Sequence, residues 1–387
     1  MTKHLSPERS VNSQQVTPDL PPLRRPGQPR LPSKTGQSGL DTFTQPSAPL
    51  TVTISHKQDS RQVTNTRPRQ NVVSKIAGQG WQPSEPLSQV DFTKLINLAI
   101  PLPKVTMVLE GPSKEKDSQA TVFRPIGICL LPDKRVVVAS TFEDKVKMFS
   151  PSGHFLKQLV PGGRKESFKR PSDMVTLRSG DFVVRDNNGI RFFNNMGDFI
   201  MTLNCDQVNR SYGLAEDGNG HLVIINERKG SRVGPGVETD LLFFEVKTGE
   251  LVKRIELSDV IRDKKGSKCR FLTSALGKLY ITDLGQDCVY TLDPETRDTT
   301  VFGQSGSGMG CFSDPAGLVV DSLGNMLVAD SKNHRVCLYS RTNKFLGELR
   351  LVPGARRPSG LLLDRDNGDL YLLNLGGGQA VVRYSLQ

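Results

Sequence analysis

The stretch Asp314-Pro315-Ala316-Gly317-Leu318-Val319-Val320 decides the fold, because it opens the clearest copy of a repeated unit. A turn leads from it into a second apolar run, Met326-Leu327-Val328-Ala329. After a polar loop come a third run, Val336-Cys337-Leu338-Tyr339, and a fourth at residues 345–349. Four short apolar runs bounded by turn residues, in a unit of about forty residues, are typical of one blade of a β-propeller.

Six copies of this unit follow one another between residue 121 and the C-terminus. Their openings are mostly 40 to 46 positions apart. The third and fourth openings are 60 positions apart, and inserted loops at residues 229–240 and 259–268 account for the excess. No segment of helical period occurs after residue 120. The sequence therefore predicts an all-β, six-bladed propeller whose blades open at Pro125, Pro171, Ser211, Phe271, Pro315 and Pro358.

The sixth copy has no fourth run of its own. Its third run is Val381-Val382-Arg383-Tyr384, and Gln387 is the last residue. An open ring would leave an unpaired strand edge, which closed β architectures avoid. The upstream run at residues 104–110 resembles the fourth runs at residues 199–203 and 251–255. We expect residues 104–110 to pair with residues 381–384 and to close the ring.

Composition separates the N-terminal part of the chain from the propeller. Of 25 prolines, 15 lie in residues 1–118, together with many Gln, Ser and Thr residues and the single tryptophan, Trp81. Because so little apolar material cannot offset chain entropy, residues 1–94 are predicted to be a disordered tail. Residues 95–120 then form a lead-in with the closing strand, and residues 121–387 form the propeller. Within the tail, residues Pro29 to Pro32 match a polyproline ligand of an SH3-type partner, a match that such tails also produce by chance.

No arrangement of catalytic or metal-binding side chains is recognisable in the sequence. The six cysteines are spread over the blades without a Cys-x-x-Cys pair, as expected for thiols in a reducing compartment. Residues 364–369 superficially resemble a calcium loop, but Leu375 occupies the place of the closing glutamate, so a strand turn is expected. No signal peptide or apolar span is recognisable. The sequence thus predicts a non-enzymatic, cytoplasmic protein without a metal or cofactor.

The placement of charge is more informative than its sum. The chain holds 51 Lys+Arg and 40 Asp+Glu, of which 36 and 31 lie in residues 119–387. In a four-stranded blade, the loop before the first strand and the loop between the second and third strands emerge on one face, called here the loop face. The remaining turns emerge on the opposite side, the turn face. Lys or Arg directly precedes the opening proline in three blades, at Arg124, Arg170 and Arg357.

Loop residues are often charged simply because loops are exposed to water, and this explanation accounts for charged residues on either face. It accounts less well for the repeated basic residue before the proline, which favours a basic ligand-binding face. The candidate ligand-binding residues are Arg124, Lys169, Arg170, Arg185, Arg210, Tyr212, Arg228, Lys229, Arg270, Lys332, His334, Arg335, Arg356 and Arg357. Tyr212 stands among arginines, an arrangement that suits single-stranded nucleic acid because cations hold phosphate while a ring stacks a base. The alternative is that Tyr212 only fills the junction between blades.

Two stretches carry a family resemblance. Residues 306–317 with residues 328–336 resemble a well-formed NHL repeat, and residues 123–127 with residues 138–149 resemble a second. Blades 2, 3 and 4 depart from that pattern. The resemblance is strongest to the six-bladed C-terminal propeller of the TRIM-NHL proteins, by impression nearest to the invertebrate muscle TRIM-NHL branch and its vertebrate counterpart. This chain shows no cysteine-rich or heptad region like the RING, B-box and coiled coil of that family.

The resemblance implies a recognition platform. Some propellers of the family bind single-stranded or hairpin RNA on the basic face and repress the message, which is the first hypothesis here. Others bind protein clients of a ubiquitin ligase, as in muscle protein maintenance, which is the second. A purely structural scaffold is the third. We expect a non-enzymatic role, since the family's ligase activity resides in the RING part.

Overall fold

The computed structural model describes residues 90–93, 104–110, 121–122, 124–162, 166–229, 237–261, 266–349, 351 and 353–385. Within these residues the chain forms 24 strands arranged as six four-stranded antiparallel sheets. The prediction of an all-β, six-bladed propeller is therefore confirmed. The predicted tail, apart from its last residues, and the proposed SH3 ligand at Pro29 to Pro32 lie outside the described residues.

The strand order within each sheet follows the chain, except in the last blade. The strands that precede blade 4 are β1 (Lys104–Glu110), β2 (Pro125–Leu130), β3 (Val136–Ser140), β4 (Lys145–Phe149), β5 (Phe155–Gln158), β6 (Asp173–Thr176), β7 (Phe182–Asp186), β8 (Gly189–Phe193), β9 (Phe199–Thr202), β10 (Arg210–Glu216), β11 (His221–Lys229), β12 (Val237–Glu245) and β13 (Leu251–Glu256). Blades 4 to 6 contain β14 (Cys269–Ala275), β15 (Lys278–Asp283), β16 (Cys288–Leu292), β17 (Thr299–Phe302), β18 (Pro315–Val320), β19 (Met326–Asp330), β20 (Arg335–Tyr339), β21 (Phe345–Glu348), β22 (Arg356–Asp364), β23 (Asp369–Gly376) and β24 (Gln379–Ser385).

Ring closure joins the two ends of the folded region. The sixth sheet has the order β1-β24-β23-β22, so the N-terminal strand is the fourth strand of the last blade. Val108 pairs with Val382 and Leu109 with Val381, as expected from the incomplete sixth repeat. Met107 and Leu109 are buried in the core between blades 6 and 1. The closure therefore combines backbone pairing with an apolar seam.

The glycine in the repeat opening allows neighbouring inner strands to approach each other. A Cβ atom at Gly317 would lie only 2.8 Å from the Cα of Gly360 on the next blade. A Cβ atom at Gly213 would lie 2.7 Å from the backbone nitrogen of Leu272. Because no side chain fits between backbones at that distance, glycine recurs where the inner strands meet around the axis.

A short upstream segment also packs against the propeller. Phe92 is fully buried in the core between blades 5 and 6, and its backbone N–H donates to Asp321 Oδ2 at 2.9 Å. The Ser322 hydroxyl donates to the Val90 carbonyl at 2.9 Å. Residues 90–93 fall within the stretch assigned to the tail from composition, and this part of the assignment needs correction. A single buried aromatic ring, with two hydrogen bonds to a distant turn, holds these residues in place.

The two predicted insertions have different structures. The first lengthens β11 and β12 into nine-residue strands that stay in register from His221 opposite Glu245 to Lys229 opposite Val237. The second, predicted at residues 259–268, begins within a one-turn helix, α1 (Leu257–Val260), whose Leu257 and Val260 are buried in the core of blades 3 and 4. This helix is an exception to the expectation of strands alone. The segment at residues 364–369 is the turn between β22 and β23, as predicted.

Candidate ligand-binding face

The residue before the opening proline has an unusual backbone conformation in four blades. Arg124, Arg170, Asp314 and Arg357 have φ angles of +43°, +50°, +51° and +52°. Left-handed backbone is costly for a residue with a side chain, particularly before proline. Such strain persists only where surrounding contacts enforce it, and it is concentrated at functional sites. Three of the four strained residues are arginines on the loop face.

Hydrogen bonds from the preceding blade hold three of these four strained residues. The N–H of Arg170 donates to Asp144 Oδ1 at 2.6 Å, and the N–H of Asp314 donates to Asp287 Oδ1 at 2.8 Å. The N–H of Arg357 donates to Nδ1 of His334 at 3.1 Å. Each acceptor directly precedes the third strand of its blade and is itself left-handed, with φ between +50° and +60°. We call this arrangement the interblade clasp, since it joins consecutive blades on the loop face.

An exposed aromatic ring lies between two of the predicted arginines. Phe142 belongs to the short 3-10 turn Thr141–Glu143 between β3 and β4, and 57% of its surface is exposed. The guanidinium carbon of Arg124 lies 4.5 Å from the ring centroid, and that of Arg170 lies 5.7 Å from it. Lys169 is exposed beside Arg170, and its backbone N–H donates to Asp186 Oδ2 at 2.8 Å. The Phe142 site, Phe142 with Arg124, Lys169 and Arg170, thus combines an exposed ring with three cations.

Phe142 is not among the ligand-binding residues predicted from the sequence. The sequence nevertheless distinguishes this residue. Phe142 is an aromatic residue at a loop tip, whereas the corresponding loops of blades 2 and 5 carry only polar residues at their tips, such as Asn187, Asn188 and Asn333. An aromatic residue in a solvated loop is informative when it has no core to fill. The repeat alignment placed Phe142 in a loop but did not single it out.

Tyr212 lies at the centre of a second cluster, in which the arginines cover its ring. Guanidinium carbons lie 3.8 Å (Arg270), 5.3 Å (Arg185) and 5.4 Å (Arg210) from the ring centroid. The ring also packs against the core of blades 3 and 4, and its hydroxyl is buried. Arg270 NH1 donates to Glu227 Oε1 at 2.6 Å. Because Arg270 covers the ring so closely, Tyr212 positions arginines and has little surface left for stacking a base.

Arg185 lies beneath this cluster and is not accessible from solvent. It is 6% exposed, and it donates to the hydroxyls of Ser172 and Ser211 at 2.6 Å and 3.3 Å. Burial lowers its pKa below the usual value, while nearby groups including Asp173 act in the opposite direction. Arg185 therefore connects blades 2 and 3 and cannot contact a ligand on the face directly.

Other predicted cations are engaged in ion pairs within the protein. Arg228 pairs with Glu238, with Asp240 at 2.9 Å and with Glu256 at 3.1 Å. Arg335 pairs with Asp330 at 2.7 Å and Glu348 at 2.6 Å, and Lys332 pairs with Asp314 at 3.0 Å. Because nearby carboxylates compensate these three charges, Arg228, Arg335 and Lys332 contribute little to the positive charge of the loop face. The side chain of Lys229 lies outside the described part of the chain.

The remaining predicted cations form a continuous arc on the loop face. Arg356 and Arg357 on blade 6 are exposed, as are Arg124 on blade 1, Lys169 and Arg170 on blade 2, and Arg210 on blade 3. The inner strand β2 contacts β22 on one side and β6 on the other, and β6 contacts β10, so these four blades are consecutive around the ring. Blade 5 interrupts the pattern with Asp314. The six exposed cations of the arc thus lie on four consecutive blades.

The inner strands surround a central channel of about 460 Å³. Asp173 and Glu216 line it, together with many apolar residues and with further charged residues such as Lys134, Arg178 and Arg365. Burial raises the pKa of both carboxyl groups to about 7. Asp173 accepts hydrogen bonds from the backbone of Leu214 and Met174, and Glu216 accepts one from the backbone of Arg178. Both carboxylates thus stabilise contacts within or between blades.

No group of three or more His, Cys, Asp or Glu residues suited to a metal ion is found among the described residues. All six cysteines are free thiols, and Cys129, Cys269, Cys288 and Cys337 are buried. Burial raises the pKa of Cys129 to about 12, so this thiol is not a reactive thiolate at neutral pH. In the described part of the chain no helix is long and apolar enough to cross a membrane.

Comparison with known proteins agrees with this architecture. Residues 312–339, which include β18, β19 and β20, match the NHL repeat. No curated protein sequence matches the chain. The structure is similar to an auxiliary nutrient binding protein from Bacteroides thetaiotaomicron, with 12% identity, a TM-score of 0.55, and coverage of 73% of this chain and 76% of that one. The corresponding protein from Bacteroides ovatus gives 15% identity, a TM-score of 0.54, and coverage of 71% and 72%.

A virginiamycin B lyase from Staphylococcus aureus is also similar, with 16% identity and a TM-score of 0.45 over 68% of this chain and 84% of the lyase. At such low identity these similarities establish the fold alone. The NHL repeat and the propeller fold indicate a binding or scaffold role.

Proposed function

We propose that the loop face binds single-stranded RNA along the arc from blade 6 to blade 3. The observation that carries this proposal is the Phe142 site, where a largely exposed ring lies between Arg124 and Arg170. Proteins that bind single strands combine cations for the phosphates with aromatic rings on which bases stack. In this proposal a base of the RNA stacks on Phe142, and the exposed cations of blades 6, 1 and 2 contact the phosphates of the RNA backbone.

Arg210 extends the arc to blade 3. Its side chain is 71% exposed and lies 3.9 Å from Glu227, so its charge is only loosely paired. Tyr212 keeps this arginine and Arg270 in position rather than stacking a base itself. The proposal agrees with the resemblance to the TRIM-NHL propellers, some of which bind RNA, and it places the protein in the cytoplasm, where messages are regulated.

A salt titration of binding to a single-stranded RNA pool tests the proposal. Phosphate contacts predict that log affinity falls linearly with log salt, and that each lost cation reduces the slope by about one. We expect Arg124→Glu/Arg170→Glu to weaken binding strongly and to flatten the slope. The matched control is Arg341→Glu/Lys344→Glu, which makes the same charge change at two exposed residues of the turn face. Equal effects of the two pairs would contradict a specific loop-face site.

The stacking role is tested separately from charge. Phe142→Ala removes the ring without altering any charged residue, and base stacking is worth about 1–3 kcal/mol per base. We expect weaker binding with an unchanged salt slope, and Phe142→Leu should behave like the alanine variant because it restores apolar surface but no ring face. Wild-type affinity in Phe142→Leu would show that Phe142 acts as a general apolar contact.

A protein partner is the second candidate, and the loop before blade 5 favours it. Met309 is 85% exposed at the tip of this loop. The loop is fixed by Arg335, whose NH2 donates to the carbonyls of Gly308 and Cys311 at 2.8 Å and 3.0 Å. An exposed apolar side chain on a rigid loop is suited to contact with a protein partner. Binding of a client of a ubiquitin-ligase pathway is the other role that the TRIM-NHL resemblance implies. Binding without a salt slope, abolished by Met309→Ser, would favour this candidate.

A further inference from the structure

The interblade clasp between blades 5 and 6 differs chemically from the other two. Asp144 and Asp287 bind the following blade through carboxylate oxygens, whereas His334 binds the N–H of Arg357 through its ring nitrogen Nδ1 at 3.1 Å. All three acceptors lie directly before the third strand of their blade, and all three have left-handed backbone. An imidazole at His334 therefore makes the contact that carboxylates make at the two equivalent positions.

The hydrogen bond to Arg357 fixes the protonation state of His334. A backbone N–H can only donate, so Nδ1 presents its lone pair and the proton of the neutral ring lies on Nε2. An imidazolium ring carries a hydrogen on both nitrogens and has no acceptor. Histidine side chains ordinarily change charge between about pH 5 and about pH 8, whereas aspartate side chains do not. Protonation of His334 therefore abolishes this one clasp and leaves the other two intact.

The charges on all sides of His334 act in the same direction. Among the described residues of the adjoining loops and strands, the charged ones are Asp287, Asp314, Asp330, Lys332, Arg335, Glu348, Arg356 and Arg357. Arg335 is already neutralised by the two carboxylates with which it pairs. Asp314 is shared by Lys332 at 3.0 Å and Arg357 at 4.0 Å. An imidazolium at His334 adds positive charge where unneutralised cations outnumber the remaining carboxylates, and it repels Arg357.

We propose that His334 is the positioning residue of Arg357, and that the clasp between blades 5 and 6 forms only while the imidazole is neutral. Arg357 has φ +52° before Pro358, a costly backbone conformation that its surroundings must enforce. Loss of the hydrogen bond lets this backbone relax and moves the guanidinium out of the arc. The consequence for the ligand rests on the proposed function. Acid weakens the contact of blade 6 with RNA, while Asp144 still holds Arg170 at the Phe142 site.

Amide hydrogen exchange in the full chain tests the clasp without any ligand. We expect the protection of the Arg357 amide, corrected for the intrinsic pH dependence of exchange, to fall about 2- to 10-fold between about pH 8 and about pH 5. The amides of Arg170 and Asp314 are internal controls, because their acceptors are carboxylates. These amides also report any general loosening caused by Asp173 and Glu216, which titrate in the same range.

Two substitutions separate the acceptor from the titrating ring. His334→Asn supplies an oxygen that accepts but does not titrate, and asparagine tolerates left-handed backbone, so Arg357 should stay protected at both pH values. His334→Ala removes the acceptor and should leave Arg357 equally unprotected at both. Wild-type protection that is unchanged in acid, or protection that survives in His334→Ala, would overturn the proposal. Equal loss of protection in the asparagine and alanine variants would also overturn it.

Binding of the single-stranded RNA pool separates this proposal from the proposed function. Arg357→Gln should weaken binding about tenfold at about pH 8 and by less at about pH 5, where the wild-type clasp is already lost. In the His334→Asn background the same substitution should cost the same affinity at both pH values. If Arg357→Gln had no effect at either pH while exchange of the Arg357 amide still depended on pH, the RNA contact of blade 6 would be overturned and the clasp upheld.

Discussion

Asp144 Oδ1 accepts the backbone N–H of Arg170 at 2.6 Å and thereby joins blade 1 to blade 2 on the loop face. Arg170 has φ +50° immediately before Pro171, and its guanidinium faces the ring of Phe142. The acidic residue is therefore part of the basic face, because it fixes the strained backbone that presents the arginine. Acidic residues near such a face are not simply charges that weaken it.

Removing this clasp should weaken both the fold and the ligand-binding face. We expect Asp144→Ala to lower the free energy of unfolding by about 1 kcal/mol, because the N–H of Arg170 loses its acceptor. Asp144→Asn keeps an acceptor oxygen and tolerates the left-handed backbone at this position, so it should retain stability. Urea denaturation of the two variants measures the difference. If alanine and asparagine were equally destabilising, charge rather than the hydrogen bond would be responsible.

Stability should depend on pH through Glu216. Burial raises its pKa to about 7 in the folded protein, above the value of an unfolded glutamate. The folded state therefore holds the proton more tightly, so this contribution to stability is complete below the unfolded pKa and is lost as pH rises through about 7. Because the group is partly solvated, we expect an effect of about 1 kcal/mol.

Glu216→Gln tests this dependence with little structural change. The amide oxygen of glutamine can still accept the hydrogen bond from the Arg178 backbone, but the side chain does not titrate. Urea denaturation at about pH 5 and about pH 8 should show a smaller loss of stability in the variant than in the wild type. Asp173 titrates in the same range and will leave a residual slope. Identical profiles for the two proteins would contradict the assignment to Glu216.

The inner ring should not tolerate a methyl group at Gly317. A Cβ atom there would lie 2.8 Å from Gly360 Cα and 2.9 Å from the Leu361 nitrogen, and these backbone atoms cannot move aside easily. We expect Gly317→Ala to destabilise the protein by about 1–3 kcal/mol or more. Gly218→Ala is the control, because no atom lies within 4 Å of its added methyl group. Thermal unfolding of both variants should show a drop in Tm for Gly317→Ala alone.

The sequence was sufficient for features that repeat, and insufficient for those that depend on distant partners. The alternation of short apolar runs specified the blades, and the incomplete sixth repeat identified the strand that pairs with β24. The six exposed cations of the arc were identified because each occupies a recurrent loop position. For other basic residues, such as Arg228 and Arg335, the sequence did not show whether acidic side chains would pair with them in the fold.

The pairing of those arginines depends on side chains that the fold brings together. Arg228 meets Asp240 only because β11 and β12 continue as a long in-register hairpin, which was expected to be an inserted loop. Tyr212 is covered by Arg270 because blades 3 and 4 pack together across 58 positions of sequence. The burial of Phe92 against the turn at Asp321 is similarly non-local. Local pattern carries no information on contacts of this kind.

Truncation separates the two N-terminal contributions to stability. A chain beginning at Val90 retains both Phe92 and β1, one beginning at Lys104 retains only β1, and one beginning at Gly111 retains neither. Loss of a fully buried phenylalanine typically costs about 3–5 kcal/mol, and loss of β1 also exposes the β24 edge. We therefore expect urea midpoints to fall in that order, with the last truncation prone to aggregation. Equal midpoints for the chains beginning at Lys104 and Gly111 would show that pairing of Val108 with Val382 contributes nothing to ring closure.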